Sequence, residues 1–538
     1  MLIAWIGIVM LLGLGFALRF IQDDAFISFR YAYNLIHGHG LTWNAGSDVP
    51  VEGYTNFLWV LLVALGMFLG LDPEPWSVFL GLTCATFTLY FTYRLSLAVS
   101  SDRRSPLIAI ALLGTNYSYS CYITGGLETQ LQTCLIAAIA CSVVEFFAQP
   151  RRASIGFFVS LSFLCALAEL TRLDSVLLWG LLASAAVILS LRHCTGRSQY
   201  VVDLAAVILP FGVVVGAWFV WKYSYYGELV PNTFYIKAAG LSGETVMNGW
   251  LYCKAFAVAY GHWVFLVIGV VLAKKLAPDF RHYLLLGTVI VWLAYVVKIG
   301  GDFMEFRMMI PVLPLVFVLS AEVLRKCVRP AMGVVVVVAI ALSSADYATT
   351  YPGGRMIESV TQLDGHVGFG SMSWRYVGIE LGELFSDSTE PVTIATGAAG
   401  AIPYFSRLRA IDTLGLNDRW IARHGYELGG KPGHTKHATM DYLMARGVNL
   451  VMEQPYIGPL DAPPVRDASF FFQPPIEEGR VPAEAKVIEI PLRSGMKVFA
   501  LYLKRHPYID DVIVNRGLKV VELDRQDAAP GITEARMQ

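Results

Sequence analysis

A train of apolar runs, each about twenty residues long, recurs from the first residue to about Tyr347 and constrains this chain more than any other feature. An α-helix of about 20 residues crosses the roughly 30 Å hydrocarbon core of a bilayer, with every backbone polar group satisfied inside the helix. The runs lie near residues 2–20, 76–99, 106–123, 127–148, 153–170, 174–191, 199–222, 256–273, 283–299, 308–325 and 331–347. The spacing predicts a multi-pass α-helical membrane protein with about eleven transmembrane helices. The first run, MLIAWIGIVMLLGLGFALRF, lacks a basic start and a small-residue cleavage site and is read as an uncleaved first span. Beyond Tyr347 charge and proline rise and no long apolar run returns, so 348–538 is expected to be one soluble α/β domain. Only 15% of the chain is charged, against about 25% in ordinary soluble domains. A net charge of −1 and the absence of any basic tract exclude a nucleic-acid partner. All eight cysteines lie at or before Cys327 without a CxxC pair, so neither a zinc site nor a disulfide framework is indicated. Cys134 and Cys141, two helical turns apart, read as core packing.

Between the runs lie two kinds of loop. Basic ones hold Arg103 and Arg104, Arg151 and Arg152, Arg192 to Arg197, Lys274 to Arg281 and Arg325 to Arg329, and by the positive-inside rule they face the cytoplasm. Loops at 21–55, 124–128, 171–174, 223–255 and 300–307 are rich in acids, aromatics and glycine. The two kinds alternate without exception if residues 57–71, FLWVLLVALGMFLGL, re-enter or lie along the outer leaflet instead of crossing. That choice places the acid–aromatic loops and the C-terminal domain together outside a cell membrane.

Chemistry is therefore sought on the outer face. Asp23 and Asp24 follow the first span directly, before an apolar stripe at Ala25, Phe29, Ala32, Tyr33 and Ile36 that predicts an interfacial amphipathic helix over 25–37. One aspartate suffices as a helix N-cap; the second, beside a like charge, would have a raised pKa and suit a general base. Further candidates on this face are Glu52, Tyr54, Glu128, Arg172 with Asp174, Lys237, Asp302 and Arg307. Charges at span ends can also pair or snorkel, and interfacial aromatics such as Trp43, Tyr54 and Tyr225 can anchor the bilayer as well as stack on sugars. His37 and His39 have no partner at ligand spacing, and no metal is expected there. The turn Thr396-Gly397-Ala398-Ala399-Gly400 looks like a phosphate loop but reads as a tight turn, and Asn116-Tyr117-Ser118 is a glycosylation sequon inside a span.

The order of these motifs resembles the GT-C class of membrane glycosyltransferases, and within it the mycobacterial terminal β-(1→2)-arabinofuranosyltransferases. The likeness rests on six stretches in register. They are Asp23-Asp24, Thr124-Gly125-Gly126-Leu127-Glu128, Arg172 in its Thr-Arg-Leu-Asp, Tyr225-Tyr226-Gly227-Glu228-Leu229-Val230-Pro231, Gly300-Gly301-Asp302-Phe303-Met304 and Ile411-Asp412-Thr413-Leu414-Gly415-Leu416. Leu173-Asp174 stands where Pro-Glu is expected, and the soluble tail is shorter. The resemblance implies an inverting transfer of a sugar from a polyprenyl phosphate to a cell-envelope glycan or lipid, without an organic cofactor. It implies Asp23 as base with Asp24 supporting it. Lys237, Arg307, Asp302, Arg172 and Glu128 are then expected around the donor, and Glu52 and Tyr54 around the acceptor. Alternatives on the same scaffold are a transferase modifying lipopolysaccharide or protein, and a flippase for lipid-linked sugars, which would place ionisable groups at mid-bilayer or show internal repeats.

Overall fold

The structure, a computed structural model, describes residues 11–524 except 12, 47–48, 101, 149–153, 194–196, 239–241, 262–277, 328, 351–352, 355, 429–430 and 473–479. Among the described residues six helices are long and apolar enough to cross a membrane: Pro73–Val99, Thr129–Ala148, Leu173–Ser190, Ser198–Tyr226, Phe280–Lys298 and Arg307–Lys326. Arg307–Lys326 is enclosed by the others, whereas Ser198–Tyr226 is mostly exposed on the flank of the bundle. A shorter apolar helix fills Ile155–Thr171, and Pro330–Thr350 covers the last expected span. Most of the expected spans at 2–20 and 256–273 lies outside the described residues.

The expected span at 106–123 is not one helix. It breaks into Arg104–Gly114 and Tyr117–Cys121, because Asn116 leaves helical geometry and its side chain caps the second piece through the Tyr119 N–H. Both pieces are buried almost completely, so the apolar run reflects a protein core as much as a lipid face. Asn116, the sequon residue, is among the buried ones.

The stretch at 57–71 forms the helix Phe57–Phe68 of 12 residues, about 18 Å long and too short to cross a hydrocarbon core of roughly 30 Å. The helix before it, α1 (Asp23–Ile36), is not a surface helix with one wet face. Ten of its fourteen residues are buried, since it lies between the bundle and the C-terminal domain.

The C-terminal domain is built on a six-stranded mixed sheet in the order β2-β1-β5-β7-β6-β8. Its strands are β1 (Thr393–Thr396), β2 (Arg409–Asp412), β5 (Leu450–Pro459), β6 (Lys486–Pro491), β7 (Met496–Tyr502) and β8 (Lys519–Glu522), with a small ribbon of β3 (Tyr426–Glu427) and β4 (Lys436–His437) beside it. β1 runs parallel to β2 and β5, while β7 pairs antiparallel with both β5 and β6. Successive residues of a strand face opposite ways, and the sheet accordingly has two cores. Ile394, Met452, Val498 and Ala500 join a core continuous with that of the bundle. Ala395, Val451, Phe499 and Leu501 form a second core on the far face.

The domain is fastened to the bundle by buried polar contacts. Buried Arg30 of α1 donates to the carbonyls of Trp43, Pro403 and Leu408. Arg375 forms a bidentate pair with Glu74 at 2.6 and 2.8 Å. Asn232 donates to the carbonyls of Gly415, Leu416 and Asp418. At the other end of the bundle the basic loops meet, with Arg281 on the carbonyl of Ala98 and Arg325 held by Glu322. These described basic loops lie away from the C-terminal domain, whereas Arg151, Arg152, residues 194–196 and Lys274 lie outside the described residues.

Candidate active site

The helix α1 is capped by Gln22, whose side-chain oxygen accepts the Asp24 N–H. Neither aspartate caps this helix. Both lie in its first turn, where the helix dipole favours negative charge. Asp23 instead reaches the C-terminal domain: Oδ1 accepts the Ala401 N–H at 2.8 Å and Oδ2 the Gly400 N–H at 3.0 Å. A Cβ on Gly400 would run into the Asp23 backbone carbonyl, so glycine is what allows this approach. Burial pushes the Asp23 carboxyl up to about 7; the Ala401 bond opposes the rise and the Asp24 charge adds to it. Asp24 is half-buried and within electrostatic reach of Arg307.

Facing the aspartates is a chain of ion pairs. Arg172 donates to Glu128 at 2.8 Å and grips Asp174 through two nitrogens at 3.0 and 2.6 Å. Glu128 also accepts from Asn56 at 2.9 Å. Burial alone would raise the Glu128 carboxyl, but Arg172 and Arg307 outweigh it and hold it below the usual range. Arg307 pairs with Asp302 at 2.7 Å. The glycines of the motifs bring these loops together. Gly126 has φ +75°, and a Cβ there would come within 2.7 Å of Ala25 at the start of α1, while its carbonyl accepts from Trp59 at 2.9 Å. Gly301 has φ +78° and no room for a Cβ against Tyr252.

These loops enclose a cavity of about 890 Å³ between bundle and C-terminal domain. Asp23, Asp24, Tyr54, Glu128, Arg172, Asp302 and Arg307 all line it, so residues spread over nearly three hundred positions converge. Glu52 does not line it. Glu52 makes a buried ion pair with Lys222 at 2.8 Å, and burial raises its carboxyl to about 7 against the pull of that lysine. Tyr54 touches the cavity, yet its hydroxyl is turned to Tyr226 at 3.1 Å. Lys237 belongs to the helix Asn232–Ala238, but its side chain lies outside the described residues. Trp43 is buried under the Arg30 guanidinium and presents no face for a sugar; Tyr225 stacks on Trp221. His37 and His39 are exposed beyond the end of α1.

The cavity roof comes from the C-terminal domain and was not foreseen in the sequence. Lys431, His434, His437, Glu453 and Gln454 line it, together with Glu358. Lys431 pairs with Glu358, and His437 Nδ1 lies 2.6 Å from Glu453 Oε1. Burial pushes His434 down to about 4. They come from separate elements, loops, the small ribbon and β5, that meet only in the folded domain, and no local motif marks them. The turn at 396–400 is a tight turn whose amides serve Asp23 and the roof rather than a phosphate. Asp412, in the last of the six motifs, is buried and folds the 412–418 turn by accepting from Leu414 and Asn417.

Residues 370–502 match a domain family of unknown function, DUF8728. The chain is 27% identical over 330 residues to the terminal beta-(1->2)-arabinofuranosyltransferase of Mycobacterium tuberculosis, covering 54% of this chain and 50% of that one. It is 27% identical over 346 residues to the enzyme of the same name from Corynebacterium glutamicum, covering 57% and 48%. The chain thus spans about half the length of the curated relatives it matches. Among solved structures, ArnT from Cupriavidus metallidurans bound to undecaprenyl phosphate superposes with a TM-score of 0.53 at 14% identity, covering 76% of this chain and 85% of that one. In sequence the chain is similar to the terminal arabinofuranosyltransferases, and in fold to the GT-C membrane glycosyltransferases that its motifs resemble.

Proposed function

We infer that this protein is an inverting glycosyltransferase. It moves a sugar, arabinofuranose foremost, from a polyprenyl-phosphate donor to a glycan or lipid of the cell envelope. The observation that carries this reading is the junction cavity, in which two adjacent carboxylates face two arginines. The relatives' names supply the sugar, and the undecaprenyl phosphate bound to ArnT supplies the donor class. The alternation of basic and acidic loops supports a C-terminal domain outside the cytoplasm.

In this reading Asp23 is the base. Two backbone amides fix its orientation, and a carboxyl near 7 is matched to taking a proton from a hydroxyl at neutral pH. As the acceptor O–H gives its proton to Asp23, the oxygen attacks the anomeric carbon and the bond from that carbon to the phosphate oxygen breaks, with inversion. The leaving phosphate gains charge and needs a cation. Arg172 uses all three of its nitrogens on Glu128 and Asp174, whereas Arg307 gives Nε and one terminal nitrogen to Asp302. Arg307 therefore meets the phosphate through its other terminal nitrogen, and Arg172 with Glu128 braces the floor. Asp24 holds a second negative charge between the base and Arg307. Glu52 has no acceptor role in this scheme, because its carboxylate is already committed to Lys222.

The test is transfer by purified protein from a panel of radiolabelled polyprenyl-phosphate sugars to cell-envelope glycans. Asp23→Asn should lose a factor of about 10² to 10⁴ in turnover, and Asp24→Asn less. Full activity in both variants sinks the mechanism.

A further inference from the structure

The cavity has two chemically different walls. The floor holds the arginines and the aspartates, and a lipid-borne phosphate reaches it from the bundle. The roof belongs wholly to the C-terminal domain and its connection, and its charged groups take no part in the mechanism above. At its centre His437 of β4 and Glu453 of β5 form a pair, with side chains 6% and 5% exposed. The fold does not require such a pair, since buried ion pairs replaced by apolar residues of similar size are often neutral or stabilising.

The strand β5 is also shaped for this wall. Its pairing with β7 slips between Val451 and Tyr456, so the strand bulges where Glu453, Gln454 and Pro455 face the cavity. Bulges re-aim side chains beside sites. The bulge is held from behind by the Gly397 N–H on the Glu453 carbonyl at 2.8 Å, where a Cβ on residue 397 would come within 2.7 Å of that carbonyl.

The composition of the wall selects its ligand. Two carboxylates, Glu358 and Glu453, disfavour an anion, whereas carboxylate, imidazole, amide and ammonium groups together donate to and accept from hydroxyls. The contact of Nδ1 with Glu453 orients the His437 ring and leaves its Nε2 to meet a ligand hydroxyl. We propose that Lys431, His437, Glu453 and Gln454 form the acceptor subsite, which holds a neutral, polyhydroxylated glycan with one hydroxyl directed at Asp23. The inference rests on the transferase reading and deepens it.

The experiment measures binding of two probes to the detergent-solubilised full chain: a synthetic oligoarabinofuranoside, and undecaprenyl phosphate. His437→Gln and Glu453→Gln should each weaken the glycan tenfold or more and leave undecaprenyl phosphate unchanged, which also reports an intact bundle. Gln454→Ala alters an exposed side chain that supports no buried pair and should weaken the glycan threefold or more. Equal glycan affinity in all three variants overturns the subsite, as does a wild type that binds undecaprenyl phosphate but not the glycan. A wild type that binds the glycan and not undecaprenyl phosphate overturns the donor reading instead.

Discussion

The buried pair of Glu52 and Lys222 allows a prediction worked from geometry. At 2.8 Å and an effective dielectric of about 20, the attraction is about 6 kcal/mol, and desolvation of the two ions offsets much of it. With Lys222 present the Glu52 carboxyl sits near 7. Lys222→Met removes the opposing charge, so that pKa rises further and the folded protein holds a neutral acid. The sign follows directly. Below about pH 7 Glu52 is protonated with or without the lysine, and this part of the loss vanishes. Above it, the variant's destabilisation grows by up to about 1.4 kcal/mol per pH unit until the new pKa is reached. At pH 9 the loss should be about 3 kcal/mol, the lower end of what breaking a buried pair costs. Unfolding of detergent-solubilised protein at pH 6 and pH 9 measures it. The double variant Glu52→Gln/Lys222→Met should abolish the pH dependence and retain its acceptor KM. A loss independent of pH refutes the electrostatic argument. A raised acceptor KM in a stable double variant refutes the structural role given to Glu52.

Four further outcomes are expected. Transfer should fall as pH drops through about 7, where Asp23 takes up a proton, and a pH–rate profile without that limb speaks against Asp23 as base. The same raised pKa makes the Asp23 contribution to stability fully present below pH 3.8 and lost as pH rises through about 7, so Asp23→Asn should flatten unfolding stability across that window. Gly400→Ala should displace α1 from the C-terminal domain and cut kcat at least tenfold, as judged by steady-state transfer, because the new Cβ meets the Asp23 carbonyl. Arg307→Ala should raise the donor KM about tenfold and leave the acceptor KM unchanged; the opposite pattern would place the phosphate elsewhere.

Much of the site was legible in the sequence, because loop chemistry and loop topology agree. Alternating basic and acidic loops grouped Asp23, Glu128, Arg172 and Arg307 on one face, and the cavity lies there. What failed were inferences about helices. Periodicity cannot separate a helix buried in protein from one facing lipid, so 106–123 was expected to be one span although Asn116 divides it, and α1 was expected on a membrane surface although the C-terminal domain covers it. Glu52 was expected in the site because its partner, Lys222, lies inside an apolar run where no pairing signal exists. His437 and Glu453 escaped notice for a related reason: their meeting depends on the packing of the small β3–β4 ribbon against the main sheet and on a bulge, neither of which has a local signature.

The two amides that hold Asp23 have a consequence for engineering. The C-terminal domain is not an interchangeable adaptor that presents acceptors to a self-sufficient membrane engine, since the amides of residues 400 and 401 hold the orientation of the proposed base and temper the rise in its proton affinity that burial causes. A chimera carrying a foreign domain on this bundle inherits that domain's turn as part of its acid–base equipment. Such exchanges should therefore succeed or fail on a small-residue turn about 375 positions away from the carboxylate it governs.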